Sequence, residues 1–173
     1  MQQIIERILK KDKSAQEELY KQLANKMFCL CLRYSGNEFD AEEIMHNGFC
    51  KVFDNLKSFN FINNTAFESW VKRIMVNEAL MFIRQNKKYK LNISLNDDSK
   101  NTGIHNDFHF SNDDYLSILN TLPIGYKTVF NLYAIEGYSH QEIGQMLNIT
   151  ESTSRSQLNR ARESLKQLIK KDL

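Results

Sequence analysis

Arg155, Asn159 and Arg160 stand among hydroxyls and one acid, Glu151, Ser152, Thr153 and Ser156, in a single short stretch of the chain. These side chains suit base edges and phosphates. An arginine pairs with guanine O6 and N7, and an asparagine pairs with adenine N6 and N7, each through two hydrogen bonds. A helix beginning at Glu151 would add free N–H groups and the positive end of its dipole, both suited to phosphate. The chemistry such residues would do is recognition of duplex DNA, not bond making.

Such side chains need two helices and a tight turn behind them. Ser139 and Glu142 have the S-x-x-E spacing of a capping box, so a helix is predicted from His140. Ile143, Met146 and Leu147 give it one apolar face. Asn148 then interrupts as a residue tolerant of positive φ. Ile149 fills the gap between the helices, and Thr150 caps the second one. Leu158, Ala161 and Leu165 carry the second helix's inward face. The run from Tyr138 to Arg162 thus reads as a helix-turn-helix. Its plainer alternative is an αα-hairpin with a solvated charged face.

A second group of candidates lies earlier. Phe59, Asn60, Phe61, Asn63 and Asn64 form an aromatic and amide loop; Lys72, Arg73, Asn77, Arg84 and Lys88 follow it. Aromatics interleaved with cations and amides suit unstacked single-stranded bases. Trp70 and Phe67 read as core, whereas Phe59 and Phe61 could serve either role. A third group, Asp40, Glu43, His46 and Asn47, sits near a helix start, where carboxylates favour the dipole or offer a docking face to a basic partner.

The apolar spacing is helical nearly throughout, and the chain holds one Pro and six Gly in 173 residues. An all-α fold of two small helical domains is predicted, joined by a flexible polar linker, the second ending in the helix-turn-helix. The first domain spans 1–90, with helices expected at Ala15 to Tyr34, Asp40 to Leu56 and Thr65 to about Lys88. Thr65 and Glu68 have capping-box spacing for the third. The linker spans 91–112 and is rich in Asn, Asp, Ser and His. The second domain spans 113–173, with one helix to Asn120 and another opened by Pro123.

Net charge is only +2, but it is segregated: Arg84, Lys87, Lys88 and Lys90 are uniformly basic, while Asp97, Asp98, Asp107, Asp113 and Asp114 face Lys100 alone. Basic surfaces beside acidic ones suit nucleic acid on one side and another partner on the other. No apolar run has the length of a membrane span, and the first residues lack a signal-peptide layout, so no membrane insertion and a cytoplasmic location are expected. Cys29, Cys31 and Cys50 lack zinc-type spacing and read as reduced apolar fillers, with no metal and no cofactor. No nucleophile–base pair or phosphate loop is apparent, so no enzyme is expected.

At three places the chain resembles bacterial RNA polymerase sigma factors of the small, extracytoplasmic-function (ECF) type within the sigma-70 family. These are Asp40-Ala41-Glu42-Glu43-Ile44 through Phe49, Phe67 through Asn77, and Leu122-Pro123 followed by the helix-turn-helix. Phe130 through Ser139 looks most like members from Bacteroidota. The resemblance implies a factor that binds core RNA polymerase and directs promoter-specific initiation. The first domain (sigma region 2) would bind and melt the minus-ten element, with the Phe59 to Asn64 loop pocketing a flipped base. Asp40, Glu43, His46 and Asn47 would dock on the polymerase. The second domain (sigma region 4) would read the minus-thirty-five element through Glu151 to Arg160. An anti-sigma factor is a further implied partner; the free chain is expected to be a monomer, nucleoid-associated when on polymerase. The chain departs from the family at His46-Asn47, at Met81 and at Ser152-Thr153-Ser154, where a Gly-Thr-Val start is common. The alternative is a stand-alone helix-turn-helix regulator, which would carry a ligand or phosphoacceptor domain in its first half.

Overall fold

The computed structural model describes residues 1–94 and 113–171, with side chains over 1–86 and 116–168. Every element among the described residues is helical, and the chain divides into two compact units, Met1–Asp98 and Ser99–Leu173.

The first unit is built on α2 (Lys13–Ser35), α3 (Glu38–Asn55) and α4 (Asn64–Ser94), which pack pairwise against one another. Leu19, Leu23, Met27, Leu30 and Tyr34 recur at helical steps along α2, and all are buried. They meet Ile44, Phe49 and Val52 of α3 and Phe67, Val71 and Met75 of α4, all buried in the same unit. At Gly48 the helices leave no room: a Cβ there would fall 2.2 Å from the Met75 sulfur. Gly36, at φ 87°, closes α2, and its N–H donates to the Leu32 carbonyl. A 3₁₀ turn, Leu56–Ser58, follows α3 and leads to the loop before α4.

Several details differ from what the sequence predicts. A short helix, α1 (Gln2–Leu9), precedes α2 and buries Ile4, Ile5 and Ile8 against α2 and the 3₁₀ turn. α3 begins two residues before the expected Asp40, because the Asn37 side chain accepts the Asp40 N–H at 2.9 Å and serves as cap. The capping box at Thr65 does not start α4. Asn63 accepts the Ala66 N–H at 2.8 Å, placing Thr65 inside the first turn, and Glu68 reaches across to pair with Lys26. α4 continues through Ser94; the remainder of the stretch expected as linker, 95–112, lies outside the described residues.

The second unit holds α5 (Asp113–Asn120), α6 (Ile124–Phe130), a π-helical turn (Asn131–Ile135), α7 (His140–Leu147) and α8 (Glu151–Lys171). Leu119, Leu122 and Ala161 form a core cluster against which Tyr126, Phe130 and Leu165 pack. Val129, Leu132, Ile143 and Leu158 are buried with them in this unit. Pro123 precedes α6 as its N-cap, where a missing N–H costs nothing. Gly137, at φ 80°, turns the chain from the π turn toward α7.

Candidate nucleic-acid and polymerase interfaces

The helix-turn-helix forms as its residues dictate. Ser139 and Glu142 close a reciprocal box: the Glu142 carboxylate accepts the Ser139 N–H at 2.8 Å, and Ser139 Oγ accepts the Glu142 N–H at 3.3 Å. Asn148 adopts φ 54°, ψ 49° and ends α7. Thr150 Oγ1 accepts the Thr153 N–H at 3.0 Å and starts α8. Gly144, which the sequence reading did not single out, is what lets the turn fold back. Its carbonyl accepts the Ile149 N–H at 3.0 Å, and a Cβ there would sit 2.9 Å from the Ile149 carbonyl oxygen.

α8 points Ser154, Leu158 and Ala161 inward, all buried. Glu151, Ser152, Arg155, Ser156, Asn159 and Arg160 are left exposed, and Thr153 is half-buried beside its cap. The candidates for base and phosphate contacts thus share the solvent side of one helix. Both arginines already have partners. Arg155 pairs with Glu151 one turn earlier, and Arg160 donates to the Tyr126 hydroxyl at 3.1 Å.

In the first unit the aromatic loop is divided between core and surface. Phe59 is half-buried, with its ring 5.3 Å from Phe67 and 4.7 Å from Trp70. Phe67 is fully buried and Trp70 half-buried. Asn60 and Asn64 are exposed, Phe61 is half-buried, and Asn63 is exposed with its amide oxygen engaged as the α4 cap. Ile62, absent from the sequence candidates, is 74% exposed at this loop. Along α4, Arg73, Asn77 and Arg84 are exposed at helical spacing, and Lys72 is half-buried. The Lys88 side chain lies outside the described ones.

On α3, Glu43, His46 and Asn47 are exposed, while Asp40 is half-buried and accepts from the Asn37 amide at 2.8 Å. Phe39, one position earlier, is 79% exposed. Its place outside the Ile44–Phe49–Val52 face was the signal that could have marked it. The three cysteines are not all buried fillers. Cys31 is buried, and burial pushes its thiol up to about 12, but Cys29 and Cys50 are exposed. Helical rotation turns Cys29 away from the face that buries Leu30 and Cys31.

Two family descriptions match this arrangement: sigma-70 region 2 over residues 19–89 and sigma-70 region 4 over residues 112–165. The chain belongs to the sigma-70 family. Among similar proteins, the ECF RNA polymerase sigma factor SigE of Mycolicibacterium smegmatis is 29% identical over 90% of this chain; the chain spans 62% of that relative's length. SigW of Bacillus subtilis, also an ECF sigma factor, is 29% identical over 96% of this chain and 95% of its own. The ECF sigma-E factor of Haemophilus influenzae is 28% identical over 97% and 94%. In fold, the sigma factor resembles the sigma factor RpoE of Bartonella quintana, solved with the anti-sigma factor NepR, at TM-score 0.58 and 21% identity. That match covers 91% of this chain and 98% of the other. It also resembles CnrH, solved with the cytosolic domain of CnrY, at TM-score 0.54 and 19% identity over 98% and 97%. The family is one of binding subunits, not enzymes. Among the described residues of this sigma factor, no helix is long and apolar enough to cross a membrane.

Proposed function

We propose that this sigma factor binds core RNA polymerase and directs promoter-specific initiation, with its two units reading two promoter elements. The carrying observation is that one chain holds both a region 2 unit and a region 4 unit, the latter with a complete helix-turn-helix. A stand-alone regulator would use the second unit alone and leave the first without a task.

In this reading, Glu151, Ser152, Thr153, Arg155, Ser156, Asn159 and Arg160 meet the minus-thirty-five element in the major groove. The exposure of all of them but the half-buried Thr153 on α8 supports that placement. Asn60, Phe61, Asn63 and Asn64 meet the melted minus-ten strand, with Phe59 forming the floor of the loop. Lys72, Arg73, Asn77, Arg84 and Lys88 meet its backbone and bases. Asp40, Glu43, His46 and Asn47 dock on the polymerase. The two solved neighbours are each recorded with a protein partner, an anti-sigma factor for RpoE, and the same class of partner is proposed here.

The test is run-off transcription with purified core polymerase on a genomic promoter library. Discrete transcripts that depend on this chain are expected. Their absence, with polymerase shown active on another factor, would overturn the proposal.

A further inference from the structure

The first turn of α8 is tied to the protein interior by a polar contact. Ser154 has no exposed surface, and His140, at the start of α7, is 8% exposed. Their Nδ1 and Oγ atoms share a hydrogen bond of 2.9 Å. The His140 ring stacks on Tyr133 of the π-helical turn, centroids 4.4 Å apart and planes 19° from parallel. The Arg162 guanidinium of α8 lies 5.8 Å from the centre of that tyrosine ring. The π turn and the first turns of α7 and α8 therefore converge on one imidazole.

Apolar packing is non-directional and tolerates small rotations of one helix on another. A buried hydroxyl and a buried imidazole do not, since each costs free energy unless its partner is in line. With Ser154 held inward, successive steps of about 100° along α8 turn Ser152, Ser156 and Asn159 outward and put Arg155 on the flank. Paired base contacts are sensitive to just this angle. We propose that His140 is a positioning residue for promoter reading: through Ser154 it fixes the rotation of α8, and so which side chains meet the base edges. The inference rests on α8 being the reader of the upstream element. Glu151, Arg155 and Arg162 of α8 and Tyr133 of the π turn surround the imidazole; burial, then Arg155, disfavours its charged form. Which atom of the His140–Ser154 pair donates depends on the ring's tautomer.

The test uses the full chain bound to core polymerase and a promoter recovered by run-off. Affinity is measured on that promoter and on the same DNA with its upstream element scrambled. His140→Phe keeps a ring to stack on Tyr133 but removes the hydrogen bond. Its cognate-to-scrambled ratio should fall roughly five- to tenfold, the worth of one net hydrogen bond. Ser154→Ala, a small change that spares the fold, should give a similar fall, and the double variant no further one. His140→Gln, which retains a hydrogen-bonding end, should recover part of the ratio. A merely structural role would lower thermal stability and weaken both DNAs alike; an unchanged ratio in both single variants overturns the proposal. A wild-type factor with no preference between the DNAs would instead overturn the reading of α8 itself.

Discussion

Arg155 pairs with Glu151 across one helical turn, and both side chains remain substantially exposed, at 63% and 48%. An exposed pair of this kind holds little free energy, so a base edge can displace it. Arg155→Ala should therefore weaken binding at one promoter position by roughly 1–3 kcal/mol and relax selectivity there. Binding to single-base variants of the upstream element reads this out; an equal loss on every variant would reassign Arg155 to phosphate. Gly144 holds the turn by its lack of a side chain. A methyl group there would press on the Ile149 carbonyl oxygen, which is backbone and cannot swing aside. Gly144→Ala should cost about 1–3 kcal/mol in stability, seen as a lower urea midpoint. An unchanged midpoint would mean that the turn yields. Arg155 and Asn159 were legible in the sequence because helical period alone puts them outside. The engagement of Arg160 was not, since its partner Tyr126 is 34 residues away on another helix.

Among the elements, the signals that proved readable were local ones. The Ser139 box, the left-handed Asn148 and the Thr150 cap each act within a few residues, and each forms. Thr65 offered the same box spacing, yet Asn63 two residues ahead took the cap and Lys26 drew Glu68 away. One local contact and one tertiary contact decided that contest. α1 has apolar residues at workable steps but no side-chain cap, and it holds by burying three isoleucines on its neighbours. The π turn has no local signature; it places Tyr133 against His140. That packing gives the second unit a pH dependence. Burial and the nearby Arg155 hold the His140 imidazole below its ordinary range. The unfolded chain then binds the proton more readily than the folded one. The contribution to stability is full above the unfolded value of about 6.5 and is lost as pH falls through the lower folded value. The urea midpoint of the unit carrying the helix-turn-helix should drop between about pH 7.5 and pH 5.5. The drop should shrink in His140→Gln, and a midpoint equally pH-sensitive in that variant would assign the effect to other groups.

At the scale of the whole chain, a net charge of +2 cannot by itself supply strong affinity for DNA. Salt dependence must come from local clusters of cations, and these fall in different units: Arg73 and Arg84 on α4, Arg155 and Arg160 on α8. The two clusters should therefore act on different stretches of the promoter. With the polymerase complex on a pre-melted minus-ten bubble lacking an upstream element, replacing Arg73 and Arg84 by Ala should lower the slope of log affinity against log salt. Each lost contact to a single strand should remove about 0.7 from that slope. Arg160→Ala should leave the slope on this template unchanged. On a duplex carrying only the upstream element, the pattern should reverse. On the complete promoter the effects of the two sets should add in free energy, because the sites share no partner. A combined loss well below that sum would show that one unit's contact depends on the other's, and that the two elements are read as a coupled pair.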